Sequence, residues 1–125
     1  MLPKTAQIMI VDDMKMIRTA IRKYLISLGY ANVVEAVDGE DALKQYAVEK
    51  PAMIFMDVVM PNVSGDEALK VIREGDKKTP VVMITSVAEK GVMDGCEAQG
   101  ILGYILKPLT LETGPQALSG MLEKV

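Results

Sequence analysis

Five short apolar runs punctuate the chain, and longer segments of helical periodicity separate them. The runs are QIMIV (7–11), NVVEA (32–36), AMIFM (52–56), PVVMIT (80–85) and GYILK (103–107). Their length and apolar, β-branched content read as strands, and the third is apolar enough to be buried on both faces. After the first run, Met14, Ile17, Ile21, Tyr24, Leu25 and Leu28 mark one helical face, and Gly29 is placed to end that helix. A second helix is expected over 39–49, with Ala42, Leu43, Tyr46 and Ala47 on its apolar face. A third starts from a Ser64 cap, with Glu67 three residues on as in a capping box, and runs to about Glu74. Residues 88–98 predict a weaker helix, because Gly91 and Gly95 each cost about 1 kcal/mol relative to Ala. The last helix ends near Glu123, and Gly114–Pro115 predicts an irregular first turn with regular structure from Pro115. This alternation argues for a parallel sheet covered by helices on both faces. The predicted fold is α/β, a flavodoxin-like (βα)5 doubly wound five-stranded parallel sheet of order 2-1-3-4-5.

In such a sheet, ligands bind beyond the carboxyl ends of the strands, at the switch between strands 1 and 3. The polar residues of this chain fall there. Strand 1 ends in Asp12–Asp13, strand 3 in Asp57, strand 4 in Thr85–Ser86 and strand 5 in Lys107–Pro108. Strand 2 ends in Glu35–Ala36 and contributes nothing evident. Each residue has an ordinary explanation alone: an Asp capping a helix, a Thr entering a loop, a solvated lysine, an X-Pro turn of either isomer. Together they deliver three carboxylates, two hydroxyls and an ammonium to one rim. Three clustered carboxylates raise one another's pKa, a penalty that a divalent cation removes. Oxygen ligands without His or Cys suit Mg2+. With Lys107 adding positive charge, the cluster is suited to accept a phosphoryl group on an aspartate.

Composition narrows the function further. At 125 residues, the chain is expected to form one domain, 1–125, with a proper core. A net charge of −3 argues against non-specific nucleic-acid binding. Cys96 is the only cysteine, so no intramolecular disulfide can form and a reducing compartment is expected. No apolar run is long enough for a signal peptide or membrane span, so no membrane association and a cytoplasmic location are expected. The chain has no histidine, which excludes histidine metal sites and an internal phosphohistidine.

The motifs VDD (11–13), MDVVMP (56–61) with Gly65, ITS (84–86) and YILKP (104–108) stand in a familiar order and spacing. Over essentially its whole length, the chain resembles the receiver domains of bacterial two-component response regulators, most closely the stand-alone, CheY-like type. The resemblance implies that Asp57 accepts a phosphoryl group from the phosphohistidine of a separate histidine kinase or phosphotransfer protein. It implies that Asp13, Asp57 and the backbone carbonyl of Val59 hold Mg2+, with Asp12 acting through a bound water. Lys107 would contact a phosphate oxygen. Thr85 would swing toward the phosphoryl group, and Tyr104 would follow it inward or outward. Without the resemblance, Tyr104 reads as a half-buried strand aromatic. The implied protein is a switch, catalysing only its own phosphorylation and dephosphorylation. It would act as a monomer, changing the face of its fourth helix, fifth strand and fifth helix to bind a motor switch, relay or adaptor protein.

The chain departs from the family pattern at Val59 and Val87, where members often carry polar side chains that position the hydrolytic water. Neither valine can hydrogen-bond, so slow self-dephosphorylation is expected. Gly91 and Gly95 place a marginal helix on the output face, either a switch device or a tolerated imperfection. Lys15, Arg18 and Arg22 form a stripe on the first helix that reads more readily as a solvated basic face than as a kinase docking site. A flavin binder of the same sheet order would need a glycine- and hydroxyl-rich loop where VDDMK stands. A haloacid-dehalogenase-like phosphatase would need a second acid where Met14 stands. A phosphorylation-independent interaction module, and a receiver cut from a longer DNA-binding regulator, are the functional alternatives.

Overall fold

Among the described residues, 1–86 and 90–125 of the computed structural model, each apolar run forms a strand and each periodic segment a helix; positions 88 and 89, where the fourth helix was expected to start, lie outside them. The chain order is β1 (Ile8–Val11), α1 (Lys15–Ser27), β2 (Val33–Ala36), α2 (Gly39–Glu49), β3 (Met53–Asp57), α3 (Gly65–Gly75), β4 (Val81–Thr85), α4 (Lys90–Gln99), β5 (Gly103–Leu106) and α5 (Thr113–Leu122). All neighbouring strands pair in parallel, in the predicted order β2-β1-β3-β4-β5.

Alternation along the strands splits the core into two layers. Met9, Val11, Ile54, Met56, Val81 and Met83 face α2, α3 and α4, where Ala42, Leu69, Ile72, Met93 and Cys96 meet them. Ile8, Ile10, Met53, Phe55, Val82, Ile84 and Ile105 face α1 and α5, against Ile21, Tyr24, Leu25, Leu118 and Leu122. Fully burying one such side chain stabilises the fold by roughly 1.5–3 kcal/mol, and these layers fix the strand register.

Local chemistry sets the helix ends. Gly29 takes φ +98° just past α1, the conformation that glycine adopts at least cost. Glu67 reaches back to the Ser64 backbone N–H at 3.4 Å and its hydroxyl at 2.8 Å, as the capping box predicts. The structure differs at two ends. Met14 lies outside α1 and is exposed, because its N–H is taken by the Asp12 carboxylate at 2.9 Å rather than its side chain by the core. The last helix begins at Thr113, two residues before the expected Pro115. The Thr113 N–H donates to Thr110 Oγ1 at 3.0 Å and the Thr110 N–H to Thr113 Oγ1 at 3.2 Å. Pro115 then sits in the first turn, where a missing N–H costs nothing.

Candidate functional site

Parallel pairing brings the ends of β1, β3, β4 and β5 to one edge, and the polar residues there meet. Asp57 is the last residue of β3, paired in register with Ile84, rather than the residue after the strand. Asp12 follows β1, and its N–H still donates to Ala36 O of β2 at 3.2 Å. Both carboxylates are buried, at 1 % exposure for Asp12 and 5 % for Asp57. Asp13 is exposed. One carboxylate oxygen from each of Asp12, Asp13 and Asp57 lies within 4.8 Å of the others.

Among the described residues, Lys107 is the cation that reaches these acids. Its ammonium donates to Asp12 Oδ2 at 2.8 Å and stands 3.4 Å from Asp57 Oδ2. Burial alone would lower the Lys107 pKa, but the hydrogen bond and charge of Asp12, and then Asp57, outweigh it and hold it above the usual value. Asp57 is pushed up to about 6, first by burial and then by the Asp12 charge, with Lys107 opposing. One ammonium shared between two buried carboxylates does not offset their repulsion. The cluster therefore calls for further positive charge, and an all-oxygen set of three acids fits Mg2+.

Gly65 shapes the loop after β3. A side chain at Gly65 would collide with the Asp57 carbonyl oxygen, so only glycine lets α3 start against this strand end. Val58 N–H donates to Ile84 O at 3.0 Å, and Gly65 N–H returns to Val58 O at 2.8 Å. Asn62, at φ +67°, donates to Asp38 at 2.9 Å and ties this loop to the start of α2. Val59 is exposed between these anchors. Thr85 closes β4 at 2 % exposure, and its carbonyl accepts the Lys107 N–H at 2.8 Å. The Lys107–Pro108 peptide is cis. Tyr104 is 44 % exposed on β5, beside exposed Leu106. Val87 lies outside the described residues.

The basic stripe on α1 is a correction. Lys15 is exposed as a solvated face requires, but Arg18 is largely buried and both Arg18 and Arg22 are engaged with Glu35 on β2 rather than free. Arg18 Nε donates to Glu35 Oε1 at 3.0 Å, and Arg22 donates to Glu35 Oε2 at 2.7–2.8 Å. Burial raises the Glu35 pKa, but the hydrogen bonds of Arg22 and Arg18 and their charges outweigh it and hold it below the ordinary carboxylate value. Glu35 thus does have a role, which its place in a half-polar strand concealed. The detectable signal was the four-residue spacing of the two arginines against a lone acid.

A family model described as "Response regulator receiver domain" matches residues 8–119. The chain is 34% identical to "Chemotaxis protein CheY-3" of Vibrio cholerae, over 99% of this chain and 97% of that one. Among solved structures, Vibrio cholerae CheY4 superposes with a TM-score of 0.83 at 31% identity, covering 94% of this chain and 98% of the other. CheY in the CheX-CheY-BeF3-Mg2+ complex from Borrelia burgdorferi superposes with a TM-score of 0.84 at 26% identity, covering 94% and 87%.

Proposed function

The chain belongs to the response regulator receiver family, as a CheY-like domain of phosphorylation-activated signalling, and on that premise we propose that Asp57 is its phosphoryl acceptor. The observation carrying this assignment is the partly neutralised acid cluster: Asp57 buried beside Asp12 and Asp13, with Lys107 3.4 Å away. A carboxylate oxygen of Asp57 attacks the phosphorus of a phosphohistidine donor. The phosphorus–nitrogen bond breaks, and the departing imidazole keeps the electron pair and takes a proton from water.

Asp12, Asp13, Asp57 and the Val59 carbonyl would hold Mg2+, which when bound supplies charge neutralisation to the carboxylates and the phosphoryl oxygens. Lys107 shifts from its Asp12 and Asp57 contacts to a phosphoryl oxygen. The Thr85 hydroxyl, buried at the end of β4, turns to the same group, and Tyr104 moves from its exposed position toward the space Thr85 leaves. The altered α4–β5–α5 face is then the signal. A surface groove there, lined by Glu97, Ile101, Gly103, Tyr104, Met121 and Lys124 and of about 380 Å3, supports a protein partner. The CheX complex of the Borrelia burgdorferi protein supports the same expectation. The partner class is a downstream protein of a chemotaxis-like pathway, either motor switch, relay or adaptor. The donor is a histidine kinase or phosphotransfer protein, and the setting is the cytoplasm. Val59 offers the hydrolytic water no hydrogen bond, so the phosphoryl group persists.

The test is transfer from a phosphohistidine-bearing kinase domain. Label should pass to the wild-type chain and not to Asp57→Asn, while equal labelling of both would reject Asp57 as the acceptor.

A further inference from the structure

Among the described residues, one carboxylate of the proposed site has no side-chain partner. Asp12 is fixed at both ends, since its carboxylate accepts from Met14 N–H at 2.9 Å and Lys107 at 2.8 Å. Asp57 is a strand residue locked in the ladder. Asp13 is exposed, and among the described residues its side chain makes no hydrogen bond or ion pair. Its position is therefore set by the backbone, and above all by the plane of the peptide joining Asp12 to Asp13.

The oxygen of that peptide has a specific partner. Arg18 Nη1 donates to Asp12 O at 2.8 Å. The Arg18 side chain is only 12% exposed, and its Nε is held by Glu35 at 3.0 Å, so the guanidinium is clamped from behind while it grips the loop in front. Arg22 binds the other oxygen of Glu35 but extends to Val33 O at 3.4 Å, away from the acids. Two guanidinium charges against one Glu35 carboxylate also leave net positive charge behind the acid cluster.

We infer that Arg18, oriented by Glu35, is a positioning residue that sets the Asp12–Asp13 peptide and so places the Asp13 carboxylate for the divalent cation. This rests on the assignment of the acid cluster as a Mg2+ site. Loss of an outer partner that orients a ligand typically weakens metal binding by 10–100-fold. Arg22 supplies the internal control, because it shares the Glu35 ion pair without touching the loop.

The test titrates Mg2+ alone into wild type, Arg18→Gln and Arg22→Gln by calorimetry, with backbone amide NMR spectra of the metal-free proteins. Arg18→Gln should raise the Mg2+ dissociation constant about tenfold and shift the Asp13 amide. Arg22→Gln should stay within about twofold of wild type and leave that amide in place, even where its melting temperature falls as far. Arg18→Lys, which keeps the charge but not the planar fork, should also weaken binding and stands in should Arg18→Gln not fold. Unchanged Mg2+ affinity in the Arg18 variants, or equal weakening in Arg22→Gln, would overturn the inference. If the wild type binds no Mg2+, the functional assignment fails instead, and an unmoved Asp13 amide in the Arg18 variants then overturns the positioning role on its own.

Discussion

Asp57 is held in the form its burial disfavours. Its pKa of about 6 lies above the ordinary 3.8, so the folded state binds this proton more tightly than the unfolded chain does. The Asp57 contribution to stability should therefore fall as pH rises from below 4 through 6, and it is read as the difference between wild type and a variant that cannot ionise there. Asp57→Asn, which cannot ionise, should be more stable than wild type by about 2–3 kcal/mol at neutral pH, at roughly 1.4 kcal/mol per pKa unit. Urea unfolding of the metal-free proteins against pH measures this. The gap should close below about pH 4, and saturating Mg2+ should narrow it at neutral pH. At this scale the acids, Thr85 and Lys107 were legible, because strand ends in a parallel sheet share one rim. The Arg18–Glu35 clamp was not, because it joins residues on two elements whose facing sides only the crossover of α1 decides.

Among elements, the glycines divide into two kinds that look alike in sequence. A methyl group on Gly114 would lie 2.5 Å from Tyr24 Cε2, so this glycine lets α5 pack closely on α1. Gly95 of α4 has nothing within 4 Å of the corresponding position. Gly114→Ala should destabilise the protein by about 1–3 kcal/mol through overpacking, whereas Gly95→Ala should stabilise it by up to about 1 kcal/mol through helix propensity. Thermal unfolding of the two variants should show midpoint shifts of opposite sign. Gly114–Pro115 suggested a broken helix because the sequence pattern shows the glycine and proline but not the Tyr24 ring or the Thr110–Thr113 cap. The strands, by contrast, were legible nearly to the residue, since their apolar runs admit no other burial.

For the molecule as a whole, the face opposite α1 and α5 is tied together by polar contacts as well as by its core. Arg73 is buried and donates to the carbonyls of Gly100, Asp76 and Thr79 at 3.0, 3.0 and 2.7 Å, joining α3 to the end of α4 and the approach to β4. Asp76 accepts from the Tyr46 hydroxyl at 2.5 Å, which brings in α2. Hydrogen bonds from Thr79 and then Tyr46 hold the Asp76 carboxyl well below the usual range. The stability it contributes is thus present above its unfolded pKa and lost as pH falls through the acid range. Arg73→Ala leaves three carbonyls without their donor and should cost about 3 kcal/mol or more, read as a lower urea midpoint. None of this was visible in the chain order, because a charge near the end of a helix reads as solvated until the loops around it are placed.

The central claim is that the acid cluster at the sheet edge exists to put a phosphoryl group on Asp57. Incubation with a small acyl phosphate, followed by intact mass and peptide mapping, tests it most directly. One phosphoryl group should appear on the Asp57 peptide with Mg2+ present, and none should appear after chelation or in Asp57→Asn. An unmodified wild-type chain in the presence of Mg2+, or a phosphoryl group mapped to another residue, would contradict the account.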